Sequence, residues 1–170
     1  MSDRSLDMKL IVAMARNGVI GNEGGMPWKI PKDMKRFREL TSGTNVIMGR
    51  KTYESIPERY RPLPGRTNIV LSKSYTTDED ILVFDDLNKV LDFVKGEESY
   101  VIGGESIYRQ TLPYANVIEM TRLEREVEGD TYFPSIDSHE WALSRLEYDE
   151  ELVEGALERF SFETYVRRGF

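Results

Sequence analysis

One acidic side chain lies on the apolar side of a predicted helix. Pro31 suits a first helical turn, and Met34, Phe37 and Leu40 follow it at helical spacing. At about 100° per residue, Asp33 lies within roughly 60° of Phe37 and Leu40 around the helix axis. A carboxylate on that side needs a cationic or hydrogen-bond-donating partner, because its desolvation is otherwise costly. Asp33 therefore either stabilises the helix N-terminus or binds a ligand.

A glycine-rich loop precedes this helix. Residues 21–28 include Gly21, Gly24 and Gly25 and end in Trp28. This composition predicts a mobile loop, which we expect to act as a lid over a bound ligand. Ordinary core packing would explain Trp28 on composition alone, but its position close to Asp33 favours a role in the site.

Three predicted strands end in turns that could bind phosphate. Backbone N–H groups at a helix start suit an anion, and neighbouring Arg, Lys and hydroxyl groups strengthen such a site. Each turn is weak evidence alone, but three together predict a polyphosphate ligand such as a dinucleotide. The chain has neither a Walker A motif nor a Gly-x-Gly-x-x-Gly motif, which counts against a P-loop kinase and a standard Rossmann dehydrogenase. The turn residues are Gly49, Arg50, Lys51, Thr52, Ser72, Lys73, Gly103 and Gly104.

The elements that must position these residues alternate short apolar strands with amphipathic helices. Several strands are continuous apolar runs, as expected when both faces of a mostly parallel sheet are covered. Two later strands, separated by an acidic loop at 149–158, predict an antiparallel hairpin at a sheet edge. The fold class is therefore α/β, with ligands expected beyond the carboxyl ends of the parallel strands. The predicted strands are 10–15, 45–48, 68–72, 81–84, 100–102, 117–122, 142–148 and 159–166, and the predicted helices are 31–42, 52–55, 86–95 and 105–112.

Composition excludes several classes of site. The 170 residues carry 23 Lys and Arg against 30 Asp and Glu, and this net charge of −7 disfavours nucleic acid and anionic membranes as partners. The absence of cysteine excludes disulfides and thiolate metal sites, and a single histidine, His139, excludes a multi-histidine site. The longest apolar run is too short to span a bilayer, and residues 1–7 do not form a signal peptide. We therefore expect a cytoplasmic protein with no bound metal.

Several short motifs, taken in order, resemble those of dihydrofolate reductase. They lie at 10–15, 19–21, 26–28 with Asp33, 46–52, 61–66, 101–104 and 128–131, so the resemblance covers nearly the whole chain. It implies one domain at 8–170 after an N-terminal extension at 1–7. That domain would have an eight-stranded, mostly parallel central sheet with an antiparallel C-terminal edge strand and helices on both faces. NADPH would be the hydride donor, dihydrofolate the small-molecule substrate, and the protein a monomer.

The resemblance also implies which residues bind the substrate. In the family pattern Asp33 hydrogen-bonds the pterin N3 and 2-amino group, Thr121 supports that carboxylate, and Trp28 acts through an ordered water. Tyr108 would lie near the nicotinamide and the pterin, and Arg66 would pair with the α-carboxylate of the glutamate tail. The other residues implied for the folate pocket are Ile11, Met34, Phe37, Ser55, Ile56 and Leu63.

A second set of residues matches the family's cofactor site. Basic side chains in this set suit a 2′-phosphate and therefore favour NADPH over NADH. The family has a cis bond between the two glycines of its phosphate turn. Glu105 departs from the small residues usual in that turn, and we expect it to weaken cofactor binding unless it points away. Ala13, Ile20 and Gly21 match the nicotinamide side, Gly49, Arg50, Lys51, Thr52, Leu71, Ser72 and Lys73 the adenosine-phosphate side, and Gly103, Gly104, Glu105 and Ser106 the central phosphate turn.

The implied reaction has no obvious general acid for the pterin N5. We expect the proton to come from water, while Asp33 raises the basicity of N5 through the polarised ring. One rival is another NADPH-dependent pterin or pyrimidine reductase on the same scaffold, and Trp28, Asp33 and Arg66 together count against it. The other rival is a non-catalytic folate- or nucleotide-binding module, which would bind its ligand without oxidising NADPH.

Overall fold

The computed structural model describes residues 6–22, 24–77 and 79–169. Its α-helices are α1 (Pro31–Thr41), α2 (Arg50–Ser55), α3 (Leu87–Val94) and α4 (Glu105–Thr111), and short 3-10 helices cover Glu58–Tyr60 and Leu112–Tyr114. Its strands are β1 (Asp7–Met14), β2 (Val19–Gly21), β3 (Asn45–Gly49), β4 (Thr67–Leu71), β5 (Leu82–Phe84), β6 (Glu98–Gly103), β7 (Val117–Leu123), β8 (Thr131–Tyr132), β9 (Trp141–Val153) and β10 (Ala156–Arg167).

Eight strands form one sheet in the order β5-β4-β3-β6-β1-β7-β10-β9. Strands β1, β3, β4, β5 and β6 pair in parallel, whereas β10 runs antiparallel to both β7 and β9. The predicted α/β class, with an eight-stranded and mostly parallel sheet and an antiparallel C-terminal edge, is confirmed. Strands β2 and β8 form a separate antiparallel pair that the hydrophobic pattern does not predict.

The chain divides into two compact units. The first comprises Met1–Leu10 and Thr41–Ala115, and the second comprises Ile11–Leu40 and Asn116–Phe170. Each unit has a cluster of buried apolar side chains, and burying them supplies the hydrophobic stabilisation. The clusters are Val46, Met48, Tyr53 and Val70 in the first unit, and Ala15, Val19, Trp28, Ile30, Leu123 and Phe160 in the second.

A side-chain cap fixes the start of α3, and a glycine with positive φ follows the end of α1. The Asp86 carboxylate accepts a hydrogen bond from the Asn88 N–H and so caps the N-terminus of α3. The neighbouring Asp85 instead pairs with Lys89. Gly43 follows α1 with a φ of 79°, in the left-handed region that glycine enters without a steric penalty.

The predicted acidic loop at 149–158 is wrong, although the predicted hairpin is confirmed. Strand β9 continues to Val153 and β10 begins at Ala156, which leaves Glu154 and Gly155 as the turn. Both turn residues have positive φ, 49° and 82°, as a tight two-residue hairpin turn requires. The acidic residues belong to strands because backbone pairing continues up to this turn, from Arg167↔Trp141 to Ala156↔Val153.

Two other boundaries differ from the predictions or fall outside the described residues. Helix α2 begins at Arg50, two residues before the predicted start, since Gly49 already occupies the N-cap position. The predicted extension at 1–7 lies outside the described residues except for Leu6 and Asp7, and Asp7 begins β1.

Within 6–22, 24–77 and 79–169, none of the helices is long and apolar enough to cross a membrane.

Candidate active site

Asp33 and Thr121 meet in the second unit. Asp33 lies in the first turn of α1, and Thr121 is a buried residue of β7. The Thr121 hydroxyl donates a hydrogen bond to Asp33 Oδ1 over 2.6 Å. Within the described part of the chain, Asp33 Oδ2 has no hydrogen-bond partner. One carboxylate oxygen is therefore held in place, and the other is available to a ligand that donates hydrogen bonds.

Burial raises the pKa of the Asp33 carboxyl above its ordinary value of 3.8. The Thr121 hydrogen bond and the positive charge of Arg36 act in the opposite direction, because both favour the ionised form. Arg36 lies three residues later on α1, stacks over the Phe162 ring with 4.7 Å between the guanidinium carbon and the ring centroid, and pairs with Glu119 at 3.5 Å. The second unit thus holds a partly buried carboxylate and keeps a cation one turn away.

Helix α1 buries less of its apolar side than the sequence predicts. Met34 is 49% exposed, so its predicted place in a core-facing stripe is wrong. Phe37 and Leu40 are only half-buried, and Thr41 is the one fully buried residue of this helix. An exposed methionine directly after Asp33 suits an apolar ligand surface better than a core position.

Trp28 is packed in the second unit's core but keeps an unsatisfied polar atom. Its side chain belongs to the buried cluster that includes Val19, Ile30 and Phe160. Its indole Nε1–H is buried and has no hydrogen-bond partner in the described part of the chain. A buried donor without a partner is costly, which favours a bridging water or ligand group at this position. Trp28 therefore combines core packing with a buried donor that is available to a water or a ligand.

The predicted lid loop is anchored by the small β2–β8 ladder. Val19 pairs with Tyr132 and Gly21 with Thr131, and Asn22 and Gly25 form an isolated antiparallel bridge closer to the loop tip. A Cβ on Gly129 would lie 2.3 Å from Val19 Cγ1, so only glycine allows this approach. Glu23 lies outside the described residues. The sequence pattern does not predict this anchoring role, although the glycine of the 128–131 motif is a signal for it.

The three predicted phosphate turns of the first unit end at neighbouring strands. In the parallel ladders Gly49 pairs with Leu71, and Met48 pairs with Gly103. The carboxyl ends of β3, β4 and β6 therefore lie side by side, and the turns that follow them share one edge of the sheet. The register supports the interpretation of the three turns as parts of one site.

Glycine leaves room for close approach in two of these turns. A Cβ on Gly49 would come within 3.1 Å of Ile107 Cγ1. Gly103 has a φ of 131°, and its missing Cβ would face Thr52 Oγ1 at 3.6 Å and the Tyr108 hydroxyl at 3.5 Å. The Gly103–Gly104 peptide bond is cis, as the resemblance implies. This arrangement keeps side-chain atoms away from the turn and places hydroxyl groups beside it.

Charged residues in the turns are partly paired within their own helices. Arg50 pairs with Glu54 at 2.9 Å along α2, while Lys51 is exposed. Glu105 pairs with Arg109 at 2.8 Å along α4, so its negative charge is offset by a neighbouring cation. Because α2 and α4 have only six and seven residues, their macrodipoles are small, and side-chain cations with local N–H groups would dominate anion binding.

Arg66 is positioned by the loop that precedes β4. Its Nε donates to the Pro64 carbonyl over 2.9 Å, and its Nη1 donates to the Thr41 hydroxyl over 3.1 Å. Buried Asn68 fixes the same loop through paired hydrogen bonds with the Leu63 backbone. The sequence pattern does not predict this role of Asn68. The remaining predicted site residues are Ile11 and Ala13 in β1, Ile20 in β2, Ser55 and Ile56 at the end of α2, Leu71 at the end of β4, Ser72 and Lys73 directly after it, and Ser106 in α4.

Residues 7–167 match the family model described as dihydrofolate reductase. The chain belongs to the dihydrofolate reductase family. It is 42% identical to dihydrofolate reductase of Haemophilus influenzae, with 85% of this chain and 88% of that protein covered, and 40% identical to the enzyme of Neisseria meningitidis, with 95% and 99% covered. The structure is similar to dihydrofolate reductase from Enterococcus faecalis complexed with NADP(H) and RAB-propyl, with a TM-score of 0.86, 33% identity, and 95% and 96% of the two chains covered.

Membership of the dihydrofolate reductase family confirms the resemblance found in the motifs. The roles given to single residues are a separate question and stay predictions. In the second unit the structure brings Asp33 and Thr121 together, and in the first it brings Thr52, Gly103 and Tyr108 together.

Proposed function

We propose that this chain reduces 7,8-dihydrofolate to 5,6,7,8-tetrahydrofolate with NADPH, and so supplies one-carbon metabolism. The observation that carries the proposal is the partly buried Asp33 carboxylate, held at one oxygen by Thr121. The N3 and 2-amino donors of a pterin form two parallel hydrogen bonds to a carboxylate, one to each oxygen. Oδ2 and the second lone pair of Oδ1 suit these two donors. Family membership and the NADP(H)-bound relative support the same reaction.

The first unit's residues fit a dinucleotide phosphate. The turns after β3 and β6 have space that a Cβ at Gly49 or Gly103 would restrict, and they carry the Thr52 hydroxyl and the cation of Arg50. Lys73 follows β4 and adds a charge suited to a 2′-phosphate. We assign these residues to NADPH, together with Lys51, Leu71, Ser72, Gly104, Glu105 and Ser106, and Ala13, Ile20 and Gly21 to its nicotinamide side.

The protein's contribution to the reaction is binding and electrostatics. When bound, NADPH supplies the hydride that passes from its C4 to C6 of the pterin. Asp33 holds N3 and the 2-amino group and, through the polarised ring, raises the basicity of N5. Trp28 fixes a water through its unsatisfied indole N–H. The proton for N5 comes from water, since the carboxylate is engaged on the opposite edge of the ring.

Substrate selection rests on the remaining residues. We assign Arg66 to the α-carboxylate of the glutamate tail and Tyr108 to the region of the nicotinamide and pterin. Ile11, Met34, Phe37, Ser55, Ile56 and Leu63 line the folate pocket in this proposal. We also propose that the enzyme is cytoplasmic and monomeric, and sedimentation of the purified protein tests the monomeric state.

The decisive experiment is an activity assay at 340 nm with dihydrofolate and NADPH, in which each is also supplied alone. The proposal predicts NADPH oxidation only with both present, tetrahydrofolate as product, and slower reaction with NADH. Oxidation with a pteridine lacking the glutamate tail but not with dihydrofolate would indicate a different pterin reductase. Tight binding of both ligands without oxidation would indicate a non-catalytic binding module.

A further inference from the structure

A cavity of about 340 Å³ lies in the first unit at the carboxyl ends of β4 and β5. Among its lining residues are Ser72, Lys73, Tyr75, Phe84, Asp85 and Lys89. Ser72 and Lys73 already belong to the proposed cofactor site, whereas Asp85 and Lys89 have no role in it. The cavity therefore adds one acidic and one basic side chain to the adenosine-phosphate end of that site.

The strand register explains why these residues meet. Leu71 and Phe84 are partners in the parallel ladder, and the Ser72 N–H donates to the Phe84 carbonyl over 2.9 Å. The chain segments after β4 and β5 therefore leave the sheet side by side. Since α3 begins at Leu87, Lys89 falls on its first turn, four residues beyond Asp85.

Asp85 holds Lys89 at this cavity. Lys89 Nζ lies 2.8 Å from Asp85 Oδ1. The hydrogen bond and charge of Lys89, with a further contribution from the charge of Lys73, lower the pKa of Asp85. Both side chains of the pair are more than half exposed, at 61% and 57%, so the pair adds little to folding stability. Two lysines and one carboxylate leave the cavity with a net positive charge.

This inference rests on the proposed function: we propose that Lys89 binds the 2′-phosphate of NADPH and that Asp85 limits the discrimination between NADPH and NADH. A phosphate near its dianionic form attracts an ammonium more strongly than one carboxylate does. When NADPH binds, the Lys89 ammonium therefore leaves Asp85 and pairs with the phosphate. Asp85 then repels the phosphate, whereas it can accept a hydrogen bond from the 2′-hydroxyl of NADH. Tyr75 and Phe84 provide apolar surface for adenine in the same cavity.

The test is calorimetric binding of NADP⁺ and NAD⁺ to the full chain and to three variants. Lys89→Gln should weaken NADP⁺ binding about tenfold and change NAD⁺ binding less than about twofold, because it removes a charge-assisted hydrogen bond to the phosphate alone. Lys95→Gln is the matched control: Lys95 follows α3 directly, pairs with Asp92 at 3.3 Å and carries the same charge, but does not line this cavity. It should leave both affinities within about twofold. Asp85→Asn should tighten NADP⁺ binding and weaken NAD⁺ binding.

Each failure has a distinct meaning. Equal losses for NADP⁺ and NAD⁺ in Lys89→Gln, or a loss matched by Lys95→Gln, would overturn the role of Lys89. Unchanged affinities in Asp85→Asn would overturn the role of Asp85. Adenosine 2′,5′-bisphosphate should repeat the NADP⁺ pattern and 5′-AMP the NAD⁺ pattern, because neither contains nicotinamide. If the unaltered chain failed to bind NADP⁺ at all, the proposed function would fail together with this inference.

Discussion

The Thr121 hydroxyl hydrogen-bonds the Asp33 carboxylate across 88 residues of sequence. The contact joins the first turn of α1 to the buried strand β7 and fixes the direction in which the carboxylate points. Because burial raises the pKa of Asp33 and this hydrogen bond opposes the rise, Thr121 affects both the position and the charge of the acid.

Replacing Thr121 by Val should raise the pKa of Asp33 further, because the carboxylate loses its donor and keeps its burial. The measurement is the pH dependence of affinity for a protonated 2,4-diaminopyrimidine, which requires an ionised Asp33. The acid limb of the profile should move to higher pH in Thr121→Val. At the acid end of the profile, the affinity of this variant should be about tenfold lower than that of the unaltered chain. Thr121→Ser keeps the hydroxyl and should restore the original profile. Identical profiles for all three proteins would show that Thr121 does not affect the ionisation of Asp33.

Asp33→Asn should be more stable than the unaltered chain at pH 7. The folded-state pKa of Asp33 lies above the ordinary 3.8, so the unfolded chain loses its proton first as pH rises. Stability falls between those two pKa values, and the loss persists at neutral pH. Urea denaturation should give the Asn variant a higher midpoint at pH 7 and a smaller advantage at pH 4. Asp92→Asn, at a 76% exposed side chain, is the control and should show no such difference. A destabilised Asp33→Asn at pH 7 would contradict the argument.

The lid hypothesis predicts different effects for two neighbouring glycines. Gly24 has a φ of 81° with open space around it, whereas Gly25 has no positive φ and only an ordinary contact at 3.9 Å. Gly24→Ala should therefore shift the loop and slow hydride transfer or product release several-fold, while Gly25→Ala adds the same methyl group with little strain. Single-turnover and steady-state rates compare the two. If both variants reacted at the unaltered rate, the loop would not act as a lid.

A contact with β9 should stabilise the start of α1. The Lys32 N–H donates to Glu151 over 2.8 Å, and the Lys32 ammonium donates to Asp149 and to the Glu150 carbonyl. Glu151→Gln should lower the free energy of unfolding by about 0.5–1.5 kcal/mol, because a carboxylate suits the helix N-terminus better than an amide. Glu147→Gln on the same strand is the control, since Glu147 pairs with the exposed Arg145 at 3.6 Å and not with α1 in the described part of the chain. Equal losses in the two variants would show that the α1 contact adds nothing.

The sequence predicts elements well where one physical preference dominates. Continuous apolar runs place β3 and β4 within about a residue, because parallel strands buried on both faces need such runs. The cap of α3 follows from the local preference of Asp86 for a free N–H. The acidic 149–158 segment misleads because charge is typical of loops, although the Glu154–Gly155 pair already resembles a two-residue turn.

The candidate site is predictable only in part, because some of its contacts are set by distant segments and not by a local preference. Helical spacing places Asp33 on the right side of α1, but no local rule pairs it with Thr121, which comes from a distant strand. Likewise the local sequence around Lys89 is typical of a solvated helix residue. Only the β4–β5 register places Lys89 at the cavity that Lys73 also lines. Contacts between distant segments depend on register and topology, which periodicity does not encode.

Single-turnover hydride transfer from NADPH to dihydrofolate, compared between the unaltered chain and Asp33→Asn from pH 5 to pH 8, tests the central claim most directly. We expect the variant to transfer hydride roughly 10²–10⁴-fold more slowly at pH 7 and to recover towards pH 5, where the substrate can enter already protonated. An Asp33→Asn enzyme that matches the unaltered rate at pH 7 would contradict the role given to this carboxylate.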